Sequence, residues 1–155
     1  MSGVRYTEAV SDSFLHVLPR SSKACPSAGK QNDAVDYLRD RFSFVRCETH
    51  AHPVFVDAGL SFESVACPLC GAALDIGWWG ERMDIAAAAD FEELGVVTPC
   101  CEGESLLDAL RYLEEQGFAR CVITVTNPGR ELGPAEVREL QRLLGTQVRV
   151  VRQHM

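Results

Sequence analysis

The sequence has no long apolar run. Nowhere in its 155 residues is there a stretch of the roughly 18–20 apolar residues that a membrane-spanning helix requires. Residues 1–12 form a polar lead-in with one arginine and lack the apolar segment of a secretory signal peptide. We therefore expect a protein that is neither inserted in a membrane nor secreted, and we predict a cytoplasmic location.

Positive charge is also scarce. Fifteen Lys and Arg residues face 22 Asp and Glu residues, which gives a net charge of −7 and a pI of about 5.1. Binding to a phosphate backbone draws on clustered Lys and Arg side chains, so nucleic acid is an unlikely partner for this chain. The apolar and charged fractions, 46% and 24%, are those of an ordinary globular protein, and the length suits one domain.

No familiar catalytic motif is present. The sequence lacks a recognisable Ser-His-Asp arrangement, a phosphate-binding loop and a His-Glu-x-x-His pattern. The only candidates for an active site are Cys47, His50, His52 and Asp57, which lie near one another along the chain and could line a pocket. We therefore predict a protein that is not an enzyme.

The seven cysteines carry the strongest pattern. In a cytoplasmic protein an odd number of cysteines favours metal ligands and buried thiols over disulfides. Cys67-Pro68-Leu69-Cys70-Gly71 reads as a metal-binding knuckle: a four-residue turn brings both sulfurs to one side, and Pro68 stiffens it. Gly71 can adopt the positive φ that such a turn often needs.

Two further ligands are expected from Cys100 and Cys101. Adjacent residues of a straight strand point to opposite faces, so both can bind one ion only if the chain turns sharply, as Pro99 and Gly103 allow. Four thiolates suit a tetrahedral zinc ion and leave no coordination position free for water, which is typical of a structural site. We predict one zinc ion per chain, held by Cys67, Cys70, Cys100 and Cys101.

Other interpretations of these cysteines are open. Cys67 and Cys70 could be buried thiols, or a redox pair if a helix begins at residues 71–73. Cys101 could pack in the core while His50 or His52 supplies the fourth ligand. The remaining cysteines, Cys25, Cys47 and Cys121, lack partners at ligand spacing. We interpret Cys47 and Cys121 as core thiols.

The rest of the chain alternates between strands and helices. Strands are predicted at 14–18, 44–49, 54–58, 118–126 and 148–151, the second and third forming either a hairpin or one kinked strand. Residues 20–31 are expected to be a loop. A helix capped by Asn32 or Asp33 should bury Ala34, Val35, Leu38 and Phe42; a second should begin at Pro134 and end at Gly145.

Without residues 60–117 this order is β-α-β followed by β-α-β. That order predicts an α+β fold of the ferredoxin-like kind, with two helices on one face of an antiparallel sheet. We divide the chain into the first half of this domain (1–59), an inserted zinc-binding lobe (60–117) and the second half (118–155).

Two helices are predicted inside the lobe. One carries Met83, Ala87, Phe91 and Leu94 at helical spacing and ends at Gly95. The other starts at a capping box of Ser105 and Asp108 and buries leucines before Gly117, namely Leu106, Leu107, Leu110 and Leu113. Trp78 and Trp79 either pack against the lobe or expose one indole as an anchor for a protein partner.

Cys67-Pro68-Leu69-Cys70-Gly71 resembles the knuckle of a zinc ribbon. The adjacent Cys100 and Cys101 depart from the second Cys-x-x-Cys of that family, which puts its strand geometry in question. More broadly, the chain resembles a group of uncharacterised small actinobacterial proteins, through 13–19, both cysteine segments, Trp78-Trp79 and 127–130. This resemblance implies a zinc-binding domain and no particular chemistry.

The function we expect is a non-catalytic, cytoplasmic protein-interaction or adaptor role around a structural zinc ion, for instance as an immunity-like or antitoxin-like protein. The main alternative is a nucleic-acid-binding zinc-ribbon protein that uses Phe14, His16, Thr124 and Thr126 on the central strands. An enzyme is the least favoured alternative.

Overall fold

The computed structural model describes residues 12–59 and 62–155, so the polar lead-in lies, apart from Asp12, outside the described residues. These residues form a mixed α+β structure, which confirms the predicted class. Within them, no helix is both long and apolar enough to cross a membrane. The elements are β1 (Ser13–Pro19), α1 (Ala28–Arg39), β2 (Val45–Val56), β3 (Val65–Ala66), α2 (Ile76–Ala88), β4 (Gly95–Val97), β5 (Glu104–Leu106), β6 (Arg111–Tyr112), β7 (Gly117–Thr126), α3 (Pro134–Leu144) and β8 (Val148–His154).

Four strands form the main sheet, in the order β2-β7-β1-β8. Every neighbouring pair is antiparallel: Phe14 of β1 lies opposite Thr126 of β7 and, on its other side, opposite Gln153 of β8. The two central strands therefore come from opposite halves of the chain, and β2 and β8 form the edges.

The helices α1 and α3 pack together on one face of this sheet. Because side chains alternate along a strand, Leu15 and Val17 of β1 and Ile123 and Val125 of β7 face the helices and build the first core. Its buried members are Leu15, Val17, Ala34, Val35, Leu38, Phe42, Val45, Ile123, Val125, Leu140, Leu144 and Val148. The four apolar positions predicted for the first helical segment are all among them, although Phe42 follows the end of α1.

The start of α1 differs from the prediction. The helix begins at Ala28, inside the segment expected to be a loop, and its cap is Ser27, whose Oγ accepts a hydrogen bond from the Lys30 N–H. Asn32 and Asp33, the predicted caps, are exposed residues within the helix. The first turns of α1 are largely exposed. Their sequence therefore has no apolar periodicity from which the start of the helix could be predicted.

β2 is one continuous strand rather than a hairpin. Its pairing with β7 shifts register between Thr49 and Val54, as expected for a strand carrying a bulge. His50 and His52 lie in this irregular segment. The kinked-strand interpretation of the two predicted runs is therefore the correct one.

Between β2 and β7 the described lobe residues build a second core. The described part of the lobe consists of α2 and two small antiparallel pairs, β3–β6 and β4–β5. The buried residues of this core are Val65, Cys67, Leu74, Met83, Ala86, Leu94, Val96, Leu107, Leu110 and Phe118. The last of these belongs to β7, so the main sheet contributes directly to the core of the lobe.

Both helix predictions within the lobe need correction. α2 ends at Ala88, well before Gly95, because Asp90 and Phe91 adopt left-handed backbone conformations (φ 57° and 54°). Residues 105–113 form no helix: they belong to β5, β6, the turn between them and the residue that follows β6. Leu107 and Leu110 are buried while Leu106 and Leu113 are exposed. The four leucines therefore do not form one buried helical face, and the helix predicted from their spacing is wrong.

The helix α3 begins at Pro134 and is capped at its C-terminus by Gly145, which has a φ of 71°, as predicted. The Glu136 carboxylate accepts a hydrogen bond from the Gly133 N–H at 2.9 Å and is held by Arg130 at 2.8 and 2.9 Å. The Arg130 guanidinium, followed by the Gly133 N–H, lowers the pKa of Glu136 to about 2.

Replacing Glu136 by Gln should lower the free energy of unfolding at pH 7 by about 1 kcal/mol, because Gln can still accept from the Gly133 N–H but loses the bidentate charged pair with Arg130. Because the pKa is lowered on folding, this stabilisation is present above the ordinary value of 4.5 and is lost as the pH falls towards 2. Urea titrations of both proteins should therefore differ at pH 7 and converge near pH 2. Glu139→Gln, which breaks only an exposed pair with Arg142, is the control and should change little.

Candidate metal centre

Four cysteine sulfurs lie together at the surface of the lobe. One ligand atom from each of Cys67, Cys70, Cys100 and Cys101 lies within 4.8 Å of the other three. The Cys70 and Cys100 sulfurs are 3.3 Å apart, and those of Cys67 and Cys101 are 3.9 Å apart. A tetrahedral ion with metal–sulfur bonds of about 2.3 Å places its sulfurs about 3.8 Å apart. The cluster can therefore hold a metal ion with only small side-chain adjustments.

The first loop follows β3. The Gly71 N–H donates to the Cys67 carbonyl at 2.9 Å, and the Cys67 N–H donates to the Ala72 carbonyl at 2.9 Å. Gly71 has a φ of 80°, as the sequence indicated. The Leu69 N–H points at the Cys67 sulfur, 3.4 Å away, which stabilises a thiolate there.

The second loop connects β4 to β5. The Glu102 N–H donates to the Thr98 carbonyl at 2.8 Å, and the Thr98 N–H donates to the Gly103 carbonyl at 2.9 Å. These bonds close the sharp turn that two adjacent cysteine ligands require, so Cys100 and Cys101 reach the same cluster. The hairpin β4–β5 anchors both ends of the turn.

The thiols influence one another strongly. Burial opposes ionisation of Cys67, but the N–H groups of Cys70 and Leu69 outweigh it and lower the pKa of Cys67 to about 6. Partial desolvation and the neighbouring Cys70 thiol raise the pKa of Cys100 to about 12. A set of four thiolates at these distances therefore requires a cation to balance its charge.

The centre is anchored on its inner side only. Cys67 is fully buried against the second core, whereas Cys70, Cys100 and Cys101 are exposed. Within residues 12–59 and 62–155 the cluster consists of four sulfur donors, a set that can surround one tetrahedral metal ion.

Glu102 adopts the left-handed conformation (φ 56°) that Gly71 adopts in the first loop. A side chain in this region costs about 1–2 kcal/mol, while glycine costs about 0.5–1 kcal/mol through its freedom in the unfolded chain. Glu102→Gly should therefore raise the free energy of unfolding by up to about 1 kcal/mol. Gly71→Ala is the matched opposite and should lower it; both effects are measurable by urea titration, and a destabilised Glu102→Gly variant would contradict the prediction.

The alternative fourth ligands lie outside the cluster. The His52 Nδ1 atom is 3.0 Å from the Glu92 carboxylate, and the carbonyl of His50 accepts a hydrogen bond from Arg120. The redox interpretation of Cys67 and Cys70 also loses its structural premise: α2 starts at Ile76, capped by Asp75, and no helix begins at residues 71–73.

The two tryptophans lie half-buried on the second core. The Trp79 ring stacks on Phe62 with centroids 4.9 Å apart, and its N–H donates to the Tyr112 hydroxyl at 3.1 Å. That hydroxyl in turn donates to the Leu107 carbonyl. Trp79 is thus part of the lobe's packing, and the role of Trp78 or Trp79 as a partner anchor stays a prediction.

The residues considered for an enzyme have separate partners. The Cys47 thiol faces the helices and donates to the Gln31 amide oxygen at 3.4 Å, which agrees with its interpretation as a core thiol; Cys121 is also buried. Asp57 accepts hydrogen bonds from the Gly59 N–H and the Gln153 amide. His50 and His52 line one surface pocket and His50 also lines a second, and neither pocket is lined by Cys47 or Asp57.

His16 occupies the sheet face opposite the helices. Its Nδ1 lies 2.9 Å from the Thr124 hydroxyl and its Nε2 lies 3.0 Å from the Gln153 amide oxygen. Burial lowers the pKa of His16, although the bond to Gln153 opposes this shift. Both nitrogens of a neutral imidazole are thus satisfied, and the ring stacks on Phe14. The sequence placed Phe14, His16 and Thr124 on the central strands correctly.

One residue of the centre was missed by the sequence analysis. Thr98 is fully buried, and its hydroxyl lies 3.4 Å from the Cys101 sulfur. The sequence contained a signal for it: Thr98 directly precedes Pro99, just as the candidate ligand Cys67 directly precedes Pro68.

Comparison with known proteins gives no family assignment. No protein-family model matches the chain, and no curated protein or solved structure is significantly similar to it. The resemblance to small actinobacterial proteins therefore stays a prediction.

Proposed function

We propose that this protein binds one structural zinc ion per chain through Cys67, Cys70, Cys100 and Cys101 and acts as a non-catalytic interaction or adaptor protein. The observation that carries the proposal is the meeting of four sulfurs from two loops within 4.8 Å of one another. Zinc favours such a soft, closed donor set. The ion would clamp the loop after β3 to the hairpin β4–β5.

We also propose a ferredoxin-like sandwich that carries a zinc-ribbon-like lobe. The sheet order β2-β7-β1-β8, with all pairs antiparallel and both helices on one face, supports the first part. A cysteine loop followed by a second one on a β-hairpin supports the second.

The interaction role is supported by the surface of the lobe. Several large hydrophobic side chains of the lobe are exposed to solvent. Where such side chains form a contiguous patch, the patch typically binds a partner. Six of the eight exposed large hydrophobic residues of the described chain lie in the lobe: Leu69, Ile76, Ile85, Val97, Leu106 and Leu113. Val97 and Leu106 project from the outer face of the hairpin β4–β5 that carries the second cysteine loop.

Metal analysis tests the first part of the proposal. Native mass spectrometry and elemental analysis of protein purified without added metal should give one zinc ion per chain. Single replacements of the four cysteines by serine should each lose it, whereas Cys121→Ser should keep it. Zinc retained in Cys101→Ser would show that the fourth ligand is another residue.

Affinity capture tests the interaction role. Tagged wild-type protein should recover a stoichiometric partner from its native cells, and Val97→Ser with Leu106→Ser should lose it. Phe44→Ser, at an apolar residue directly before β2 of the main sheet that is even more exposed (67% accessible), is the control and should keep it. Recovery of the same partner by all three proteins would exclude this surface, and repeated absence of any partner would contradict the adaptor role.

A further inference from the structure

The two cysteine loops share one backbone conformation. In the first, the Cys67 N–H reaches the carbonyl five residues ahead at 2.9 Å; in the second, the Thr98 N–H reaches the carbonyl five residues ahead at 2.9 Å. The reverse bonds also match, since the Cys67 and Thr98 carbonyls each accept from the N–H four residues ahead, at 2.9 and 2.8 Å.

The sequences of the loops align on these bonds. Each has proline in its second position, cysteine in its fourth and a residue of positive φ in its fifth, with φ values of 80° and 56°. Thr98 therefore corresponds to Cys67, Cys100 to Leu69, and Cys101 to Cys70. The second loop is a metal knuckle whose first cysteine is replaced by threonine.

Burial follows the same correspondence. Cys67 and Thr98 are both completely buried, whereas Leu69 and Cys100 are both exposed. The sulfur missing from the first position is thus supplied from the third, on the outer side of the loop. The Thr98 hydroxyl lies 3.4 Å from the Cys101 sulfur and 3.3 Å from the Gly103 carbonyl.

We propose that Thr98 occupies a former ligand position of this knuckle and acts as a positioning residue for Cys101, while Cys100 is the displaced ligand. The proposal rests on the zinc site proposed above. In the structure the single Thr98 hydroxyl proton is donated to the Gly103 carbonyl at 3.3 Å. A metal-bound thiolate carries no proton to donate, so with the ion in place the Thr98 hydroxyl would turn its proton to the Cys101 sulfur, 3.4 Å away. Such a bond to a charged acceptor fixes the ligand's orientation and raises metal affinity.

Moving the ligand along the loop tests the correspondence. Cys100→Leu should lose the zinc ion, and adding Thr98→Cys should restore one zinc ion per chain, because the second loop then has the spacing of the first. Thr98→Ser with Cys100→Leu is the matched control and should stay without zinc. If the wild-type protein binds one zinc ion but the folded variant with Thr98→Cys and Cys100→Leu binds none, the correspondence between the loops is overturned and the zinc site is not. If the wild-type protein itself binds no zinc, the zinc site is overturned.

Removing the hydroxyl tests the positioning role. Thr98→Val keeps the shape of the side chain and should weaken zinc affinity about 10–100-fold in competition with a chromophoric chelator, the usual effect of losing a ligand's hydrogen-bond partner. Thr98→Ser should restore most of the affinity. In the cobalt-substituted protein the sulfur-to-metal charge-transfer band should shift in Thr98→Val while its intensity still reports four thiolates. Equal affinity and an unchanged band in the valine variant would overturn the role.

Discussion

Replacing Cys67 by serine is expected to abolish zinc binding and unfold the lobe while the main sheet stays folded. Cys67 is the only buried residue among the four proposed ligands, and its replacement would both open the proposed metal centre and remove a side chain from the second core. Structural zinc contributes on the order of 10–16 kcal/mol in small zinc-binding peptides. The first core lies between the sheet and its helices and contains none of the four ligands.

Tryptophan fluorescence can separate these two events, because both tryptophans lie in the lobe. Cys67→Ser, or wild-type protein treated with a strong chelator, should show red-shifted emission while far-UV circular dichroism keeps most of its signal. Adding zinc should reverse the change in the chelated wild-type protein only. Cys25→Ser, at an exposed cysteine outside the cluster, should behave like the wild type. Unchanged emission after complete zinc removal would mean that the lobe folds without its metal.

The sequence predicted the main sheet well because its strands alternate cleanly. In β7, Cys121, Ile123 and Val125 face the helices, and the turn at Asn127 to Gly129 follows directly. α3 was bounded correctly by Pro134 and Gly145, since each residue acts locally. The beginning of α1 was missed, because its first turn is solvent-exposed and its cap, Ser27, precedes any apolar residue.

The lobe was harder to predict, because its elements are short and depend on contacts distant in sequence. Residues 105–113 have leucines at helical spacing, yet Tyr112 pairs with Val65 in the β3–β6 pair and leaves no room for a helix. The cluster of four cysteines was an exception. Cysteine is rare and its spacing is chemically specific, so the four candidates were identified although 29 residues (71–99) separate the second from the third.

The boundary between lobe and sheet depends on Phe118. Phe118 is the second residue of β7 and lies opposite Phe55 of β2. Its side chain is nevertheless buried in the second core, that of the lobe. Its ring centroid lies 5.0 Å from that of Phe55 and 5.3 Å from that of Phe91. The division of the chain at residues 60–117 is still a prediction, and this shared side chain is where it can be tested.

Phe118→Ala should lower the free energy of unfolding by about 3–5 kcal/mol, the usual cost of deleting a fully buried phenylalanine ring. Because the ring fills the core of the lobe, we also expect red-shifted tryptophan emission under native conditions and faster loss of zinc to a chelator. Ile123→Ala is the matched control: it lies on the same strand, is fully buried and packs only in the first core.

Urea titration should show that Ile123→Ala is destabilised by about 2–5 kcal/mol, with native tryptophan emission and zinc release like those of the wild type. If Phe118→Ala behaves in the same way, the lobe keeps its structure without support from the sheet, and residues 60–117 are an independent folding unit. If its emission shifts, the sheet is a required part of the lobe's core. In that case the proposed zinc centre would stabilise a lobe that is continuous with the domain around it, because its core includes Phe118 of β7 and is packed against Phe55 of β2.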